Sequence, residues 1–142
     1  MRDLPGLGET YLDSDFASKI DAFVQHARDR GVNVEFESAY RSQAYQDYIR
    51  KRQKETNVIF PPAEKSFHSA GLAVDIKNDL IRDPVTKQIM LDASEKAGLS
   101  WGGAYGDHVH FDYRPGNSLD SLIGDFADKV RELQISRMKG PI

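Results

Sequence analysis

Cysteine is absent from the 142-residue chain. This absence excludes disulfide bonds and any zinc site built on thiolates, so a metal ion would have to be held by histidine and carboxylate side chains. Long hydrophobic runs are also absent. No stretch of about eighteen apolar residues occurs, and the sequence therefore predicts no membrane insertion.

Charge of one sign is not in large excess. The chain has 19 Lys and Arg against 22 Asp and Glu, which gives a formal net charge of -3. No global field favours a nucleic acid or an anionic membrane, so neither is expected as a partner. The length and a hydrophobic content of 39% predict one globular domain over 1–142, with its core at about 14–135.

Hydrophobic periodicity predicts alternating helices and strands. The turn-rich residues 1–13 and the segments 56–65 (which contains Pro61-Pro62) and 77–87 are predicted as loops. The predicted elements are, in order, a helix that starts at Asp13 or Ser14 and ends at Gly31, a strand at 32–37, a helix at 43–52, a strand at 72–76, a helix at 88–96, strands at 99–101 and 107–113, and a final helix that starts at Asn117 or Ser118.

Two segments, 66–75 and 107–110, carry the candidate metal ligands. They supply two or three imidazoles and two carboxylates, the nitrogen and oxygen donors that a catalytic zinc uses. His68 and Asp75 are seven residues apart, so no single helical turn brings them together. A turn at Gly71 followed by a strand would instead point Asp75 back toward His68.

Each segment alone has a simpler interpretation. An aspartate on a strand is most often solvated, and a single histidine is most often a surface residue. The two segments together favour a three-ligand site that the second segment completes. His108 and His110 share a strand face by their spacing, so either can be the third ligand.

Residues near these segments supply the rest of the chemistry for metal-assisted amide hydrolysis. Three protein ligands and an open position bring the pKa of a zinc-bound water toward about 7. Asp107 is the candidate to take the proton of the water and pass it to the leaving amine. Arg41 is the candidate cation for the developing oxyanion, and a surface salt bridge is its alternative role. Trp101, the only tryptophan, is interpreted as core or as a wall of the cleft.

The two segments resemble the signature of a known family. Their pattern is Ser66-x-His68-x-x-Gly71-x-Ala73-x-Asp75 followed by Asp107-x-x-His110. It resembles the LAS-type zinc peptidases, which include D-alanyl-D-alanine carboxypeptidases and dipeptidases and the L-alanyl-D-glutamate endopeptidases of phage endolysins and bacterial autolysins. The resemblance runs from about residue 36 to 113 and includes three further segments, Ser38-Ala39-Tyr40-Arg41-Ser42-x-x-x-Gln46, Trp101-Gly102-Gly103 and His110-Phe111. The last two of these segments are most like the L-alanyl-D-glutamate branch.

The resemblance implies a role for each matched residue. The zinc ligands would be His68, Asp75 and His110, which makes His108 a neighbour. Asp107 would be the general base and acid, and it stands where several members have glutamate, one methylene longer. Arg41 would bind the substrate and stabilise the transition state. Further substrate contacts are expected at Ser66, Gln46 and Trp101.

The resemblance also implies the fold and the activity. The fold would be a small α+β domain, a mostly antiparallel sheet with helices packed on it, as in the hedgehog signalling domain and the D,D-peptidases. The predicted element order agrees with it. The expected activity is zinc-dependent hydrolysis of the peptidoglycan stem peptide, chiefly at the L-alanyl-D-glutamate bond. The alternatives are a D-alanyl-D-alanine carboxypeptidase and a non-catalytic zinc-binding module, and the presence of Asp107 and Arg41 argues against the module.

The same resemblance sets expectations for partner and location. The stem peptide is the expected partner, and the chain is expected to act as a monomer without a separate wall-binding module. The expected place of action is the periplasm or the cell wall. The first residues lack the apolar stretch of a secretory signal, so release through a holin or a dedicated secretion route, or removal of a leader, is expected.

Overall fold

The computed structural model describes residues 1–55 and 65–139. The elements follow one another as β1 (Arg2–Leu4), β2 (Gly8–Thr10), α1 (Ser14–Asp29), β3 (Phe36–Ser38), α2 (Gln43–Glu55), a 3-10 helix (Phe67–Ala70), β4 (Ala73–Ile76), α3 (Asp79–Arg82), α4 (Pro84–Ala97), β5 (Ser100–Trp101), a second 3-10 helix (Gly102–Tyr105), β6 (His110–Asp112) and α5 (Leu119–Lys139). Within these described ranges, no helix combines the length and the apolar character that crossing a membrane requires.

The central sheet has four antiparallel strands in the order β3-β4-β6-β5. In the β4–β6 pair, Asp75 stands opposite His110 and Val74 opposite Phe111. β1 and β2 form a separate hairpin. The predicted α+β class, a small antiparallel sheet with helices packed on it, is confirmed.

The core lies between this sheet and the helices. The apolar positions of α1 recur every three or four residues, which places Phe16, Ile20 and Phe23 on one buried face. The ring of Phe23 packs on that of Phe111 in β6, with centroids 5.1 Å apart. Residues that alternate along β4 supply the opposite side, and Val74 is fully buried.

The N-terminal loop prediction is wrong, because residues 1–13 contain the β1–β2 hairpin. Its strands are only three residues long, and the turn carries the glycine and proline that predicted a loop. The hairpin also contacts the central sheet. The amide of Phe36 donates to the carbonyl of Pro5 at 2.8 Å, and the amide of Tyr40 to Thr10 Oγ1 at 3.3 Å.

The predicted loop at 77–87 is also wrong. It contains α3 and the first turn of α4, which begins at Pro84. The carboxylate of Asp83 accepts from the amide of Thr86 at 2.9 Å and caps α4, so the Asp-Pro pair that predicted a turn starts a helix. The predicted strands at 32–37 and 107–113 are shorter in the structure, where they are β3 and β6. The segment with Pro61-Pro62 lies outside the described residues.

Gly71 brings the turn that carries His68 into contact with the last helix. It ends the first 3-10 helix with φ 68°. A Cβ atom at this position would lie 2.4 Å from Cζ of Phe126, so α5 packs directly on the turn. Only glycine satisfies both the positive φ and this close approach.

Candidate metal centre

The structure brings together the side chains of His68, Asp75 and His110. Their ligand atoms all lie within 4.8 Å of one another. Oδ1 of Asp75 is at the centre, 3.3 Å from Nε2 of His68 and 3.3 Å from Nδ1 of His110. His68 is buried, and the other two are half-buried, so the open side of the group is the one formed by Asp75 and His110.

Local structure explains why these three residues meet. Ser66 caps the first 3-10 helix by accepting from the amide of His68 at 3.1 Å, and Gly71 ends it. The chain then enters β4 with Asp75 on the side of His68. Asp75 and His110 are directly opposed in the antiparallel β4–β6 pair, where side chains on one face lie close together.

The second nitrogen of each imidazole has its own partner. Nδ1 of His68 lies 2.6 Å from the carbonyl oxygen of Ala39, which only accepts hydrogen bonds, so Nδ1 carries the proton. Nε2 of His110 lies 2.7 Å from Oδ2 of Asp112. Nε2 of His68 and Nδ1 of His110 therefore face Asp75 with lone pairs available to a metal.

This arrangement fits zinc. A tetrahedral zinc ion with bonds of about 2.0–2.1 Å separates its ligand atoms by about 3.3–3.4 Å. Both distances from Oδ1 of Asp75 to the imidazole nitrogens are 3.3 Å. Two imidazoles and one carboxylate are also a donor set typical of catalytic zinc, which keeps a fourth position for water or substrate.

The charges of the group follow from these contacts. Burial would raise the pKa of the Asp75 carboxyl, but hydrogen bonds and charge from His110 and His68 outweigh it and hold that pKa well below its usual range. Burial would lower the pKa of His110, but its contacts with Asp112 and Asp75 raise it to about 9. An anionic carboxylate thus faces a protonated imidazole, and a bound metal cation would take the place of that proton.

Asp107 lies at the open side of the group. Its Oδ2 is 3.9 Å from Nδ1 of His110, and its side chain is 58% exposed. Partial burial and, to a smaller extent, the charge of Asp75 raise the pKa of the Asp107 carboxyl. Its amide donates to the carbonyl of Gly102 at 3.0 Å, which fixes the backbone next to His110.

Arg41 contacts the other oxygen of Asp75. Its Nη2 is 3.2 Å from Oδ2 of Asp75, and its Nε donates to Ser38 Oγ at 3.3 Å. Its Nη1 lies 3.5 Å from Oε1 of Gln46, a residue that is 1% exposed. Gln46, predicted as a substrate contact, is placed beneath Arg41 in this structure.

The other predicted substrate contacts lie at the edges of the site. Ser66 is occupied as the cap of the turn that carries His68. Trp101 is half-buried, and its Nε1 donates to the carbonyl of His108 at 2.8 Å. The ring of His108 lies beside that indole, with centroids 5.8 Å apart, and not in the His68–Asp75–His110 group. Of the two possible third ligands, the structure places His110 in the group.

Sequence reasoning missed three residues that support the ligands. The backbone carbonyl of Ala39 and the carboxylate of Asp112 contact the outer nitrogens of the two imidazoles. Gly102 leaves room for the site, since a Cβ there would lie 2.8 Å from the carbonyl of Asp107 and 2.9 Å from Cβ of His110. Strand alternation was a usable signal for Asp112, because residues two apart in a strand share a face.

Fold and site together define a class. A small α+β domain, a His–Asp–His group of zinc type, and a carboxylate and an arginine beside it are the parts of a metal-dependent hydrolase. A comparison with family models agrees: the model of VanY, D-alanyl-D-alanine carboxypeptidase, matches residues 9–120. The chain belongs to this family, and the predicted relationship with the LAS-type zinc peptidases is confirmed.

Solved structures show the same fold. The vancomycin resistance D,D-pentapeptidase VanY from a VanB-type resistance cassette, solved as a mutant in complex with Zn(II), is 18% identical and matches with a TM-score of 0.55 over 87% of this chain and 83% of that one. VanYB in complex with D-alanine-D-alanine is 19% identical, with a TM-score of 0.54 over 83% of this chain and 78% of that one. A search of curated proteins finds no significant match.

These comparisons bear on the expected activity. The family match supports the zinc peptidase class and, within it, the D-alanyl-D-alanine carboxypeptidase alternative. The main expectation, cleavage of the L-alanyl-D-glutamate bond, is not confirmed. That expectation depended on two short segments, Trp101-Gly102-Gly103 and His110-Phe111, and in the structure Trp101 and Gly102 contact the backbone of 107–110.

Proposed function

We propose that the protein is a zinc-dependent D,D-carboxypeptidase that removes the terminal D-alanine from peptidoglycan stem peptides. The observation that carries this proposal is the arrangement of the His68 and His110 imidazoles around Oδ1 of Asp75, with the carboxylate of Asp107 beside His110. Membership of the D-alanyl-D-alanine carboxypeptidase family supports the choice of bond. The proposed place of action is the cell wall or the periplasm, with the chain acting as a monomer.

Nε2 of His68, Oδ1 of Asp75 and Nδ1 of His110 would hold the zinc ion. When bound, zinc acts as a Lewis acid and lowers the pKa of a water molecule to about 7, which makes it a nucleophile at neutral pH. The protein contributes three donor atoms at spacings that suit a tetrahedral zinc ion, with 3.3 Å from Oδ1 of Asp75 to each imidazole nitrogen.

Asp107 is proposed to move the proton. Its carboxylate lies beside the ligand nitrogen of His110 and is still exposed, so an incoming peptide can reach it. It would take the proton of the attacking water and deliver it to the nitrogen of the leaving D-alanine.

Arg41 is proposed to bind the substrate and stabilise the negative charge that develops on the scissile carbonyl oxygen. Ser38 and Gln46 hold its guanidinium near the metal ligands. A fixed cation at this place favours the transition state over the neutral peptide. In this proposal Gln46 acts by positioning Arg41, whereas Ser66 and Trp101 border the cleft.

The test is mass spectrometry of purified peptidoglycan and of a synthetic pentapeptide ending in D-alanyl-D-alanine. Each substrate is digested with protein that is stripped by chelator and then reloaded with zinc. The proposal predicts zinc-dependent loss of one D-alanine. Products with a free amino-terminal D-glutamate or isoglutamine would establish the endopeptidase instead, and zinc binding without any product would favour the non-catalytic module.

A further inference from the structure

We propose that Asp112, held by Arg114, is a positioning residue for the metal centre. It fixes the His110 ring so that Nδ1 faces the metal. This inference concerns zinc binding and rests on the proposed function only for its consequence in catalysis.

Asp112 is a buried carboxylate that the catalytic roles leave unexplained. It lies at the end of β6, opposite Ala73 of β4 and Ser100 of β5, and is 1% exposed. A carboxylate in such a place destabilises the fold unless strong partners compensate for its lost hydration. The burial of this carboxylate therefore requires groups that compensate for it.

Both oxygens of Asp112 have charged partners. Oδ2 lies 2.7 Å from Nε2 of His110 and 3.1 Å from Nη2 of Arg114, and Oδ1 lies 3.1 Å from Nε of Arg114. The guanidinium therefore binds the carboxylate in a two-pronged geometry, which fixes its plane as well as its charge. The carboxylate in turn has a fixed direction toward His110.

The direction of this contact decides which nitrogen of His110 can bind metal. A neutral imidazole carries one proton, and a carboxylate at Nε2 keeps that proton on Nε2. Nδ1 is then left with its lone pair, 3.3 Å from the shared ligand oxygen of Asp75. Strand alternation places residues 110 and 112 on one face, so the contact needs no change in backbone.

Arg114 also reaches the other ligand segment. Its guanidinium lies over the ring of Phe67, 4.8 Å from the centroid, and Phe67 precedes His68 in the chain. One side chain thus contacts both Phe67, which precedes His68, and Asp112, the partner of His110. The Asp112–Arg114 pair links β6 to the turn that presents His68.

The two histidines differ in how they are held. The partner of His68 is the backbone carbonyl of Ala39, which no side-chain substitution removes. The partner of His110 is a side chain, so this half of the metal centre can be altered selectively. This difference makes the proposal testable.

The experiment measures zinc affinity by competition with a chromophoric chelator. The variants are D112A, D112N and R114Q. The control is D92A, which removes an aspartate on α4 that lies outside the His68–Asp75–His110 group and pairs with Arg30, with 2.7 Å between Oδ2 of Asp92 and Nη1 of Arg30. We expect D112A to lose about 10- to 100-fold in affinity. D112N should lose less, because its amide oxygen still accepts from Nε2, and D92A should bind zinc like the parent.

A second measurement separates positioning from general stability. In the zinc-loaded protein, proton–nitrogen spectra of the histidine rings should show a slowly exchanging Nε2 proton on His110 in the parent and D92A, and lose it in D112A. A folded D112A with parental zinc affinity would overturn the proposal. If D112A does not fold, R114Q decides: reduced zinc affinity supports the proposal, and unchanged affinity overturns it. A parent that binds zinc but releases no D-alanine would refute the proposed function alone.

Discussion

Asp75 divides its two carboxylate oxygens between the metal position and Arg41. Oδ1 lies 3.3 Å from both imidazole nitrogens, whereas Oδ2 lies 3.2 Å from Nη2 of Arg41. The proposed oxyanion cation is thereby tied to a metal ligand, so its position relative to the metal is set by one rigid carboxylate.

Replacing Arg41 by lysine should lower kcat/KM by about 100- to 1,000-fold, the usual loss for one donor to a developing oxyanion. Lysine keeps the charge but cannot contact Asp75, Ser38 and Gln46 together as the planar guanidinium does. The measurements are release of D-alanine from a stem pentapeptide and zinc content. Full activity in R41K would show that charge alone suffices.

Replacing Asp107 by asparagine should abolish most turnover while zinc stays bound. The carboxylate is not in the ligand group, and general acid–base catalysis contributes about 100- to 10,000-fold. The matched variant D107E keeps the carboxylate and adds one methylene, so it tests whether the length of the side chain matters to proton transfer. It should retain more activity than D107N. Loss of zinc in D107N, measured by metal analysis, would make Asp107 a ligand and contradict its assigned role.

Zinc affinity should rise with pH up to about 9. Burial alone would lower the pKa of His110, but the contacts with the carboxylates of Asp112 and Asp75 outweigh it and raise this pKa to about 9. Below that pH Nδ1 is occupied by a proton that zinc must displace, so affinity should increase by up to about tenfold per pH unit and level off above pH 9. Chelator competition at several pH values, corrected for the titration of the chelator, measures this slope. A flat profile from pH 6 to 9 would contradict it.

Replacing Gly71 by alanine should destabilise the protein more than the same change at Gly31. Both residues have positive φ, which costs alanine about 1–2 kcal/mol. A Cβ at Gly31 meets nothing within 4 Å, whereas at Gly71 it meets the Phe126 ring, which should add about 1–3 kcal/mol. Urea unfolding of G71A and G31A measures the difference.

The close contact itself is tested by combining G71A with F126A. If the clash is responsible, the double variant should be more stable than the sum of the two single changes predicts, because removing the ring removes the overlap. Additive effects would mean that the backbone conformation of Gly71 explains the whole loss.

The sequence indicated both the α+β class and the three residues that the structure brings together, His68, Asp75 and His110. His68, Asp75 and Gly71 were identifiable because a turn and a short strand are local features. Spacing alone left the choice between His108 and His110 open, because it depends on the register of β6 against β4. The family resemblance chose His110, and the register pairs this residue with Asp75.

The errors in secondary structure also have physical causes. The β1–β2 hairpin has three residues per strand, too few for alternation to outweigh its turn residues. Asp83-Pro84 is compatible with both a turn and a helix start, and only the bond from the Thr86 amide to Asp83 distinguishes them. Asp112 was overlooked because its importance depends on the partners that tertiary structure supplies.

The register between β4 and β6 also governs which changes of chain length the site can tolerate. Asp75 and His110 are held together by strand pairing, and the chain between them leaves the sheet to form α3 and α4. Because strand pairing holds the two residues together, a change of length at the junction of α3 and α4 should disturb them less than a change within either strand. A single residue inserted in β6 between His110 and Phe111 would instead turn the imidazole to the opposite face of the sheet.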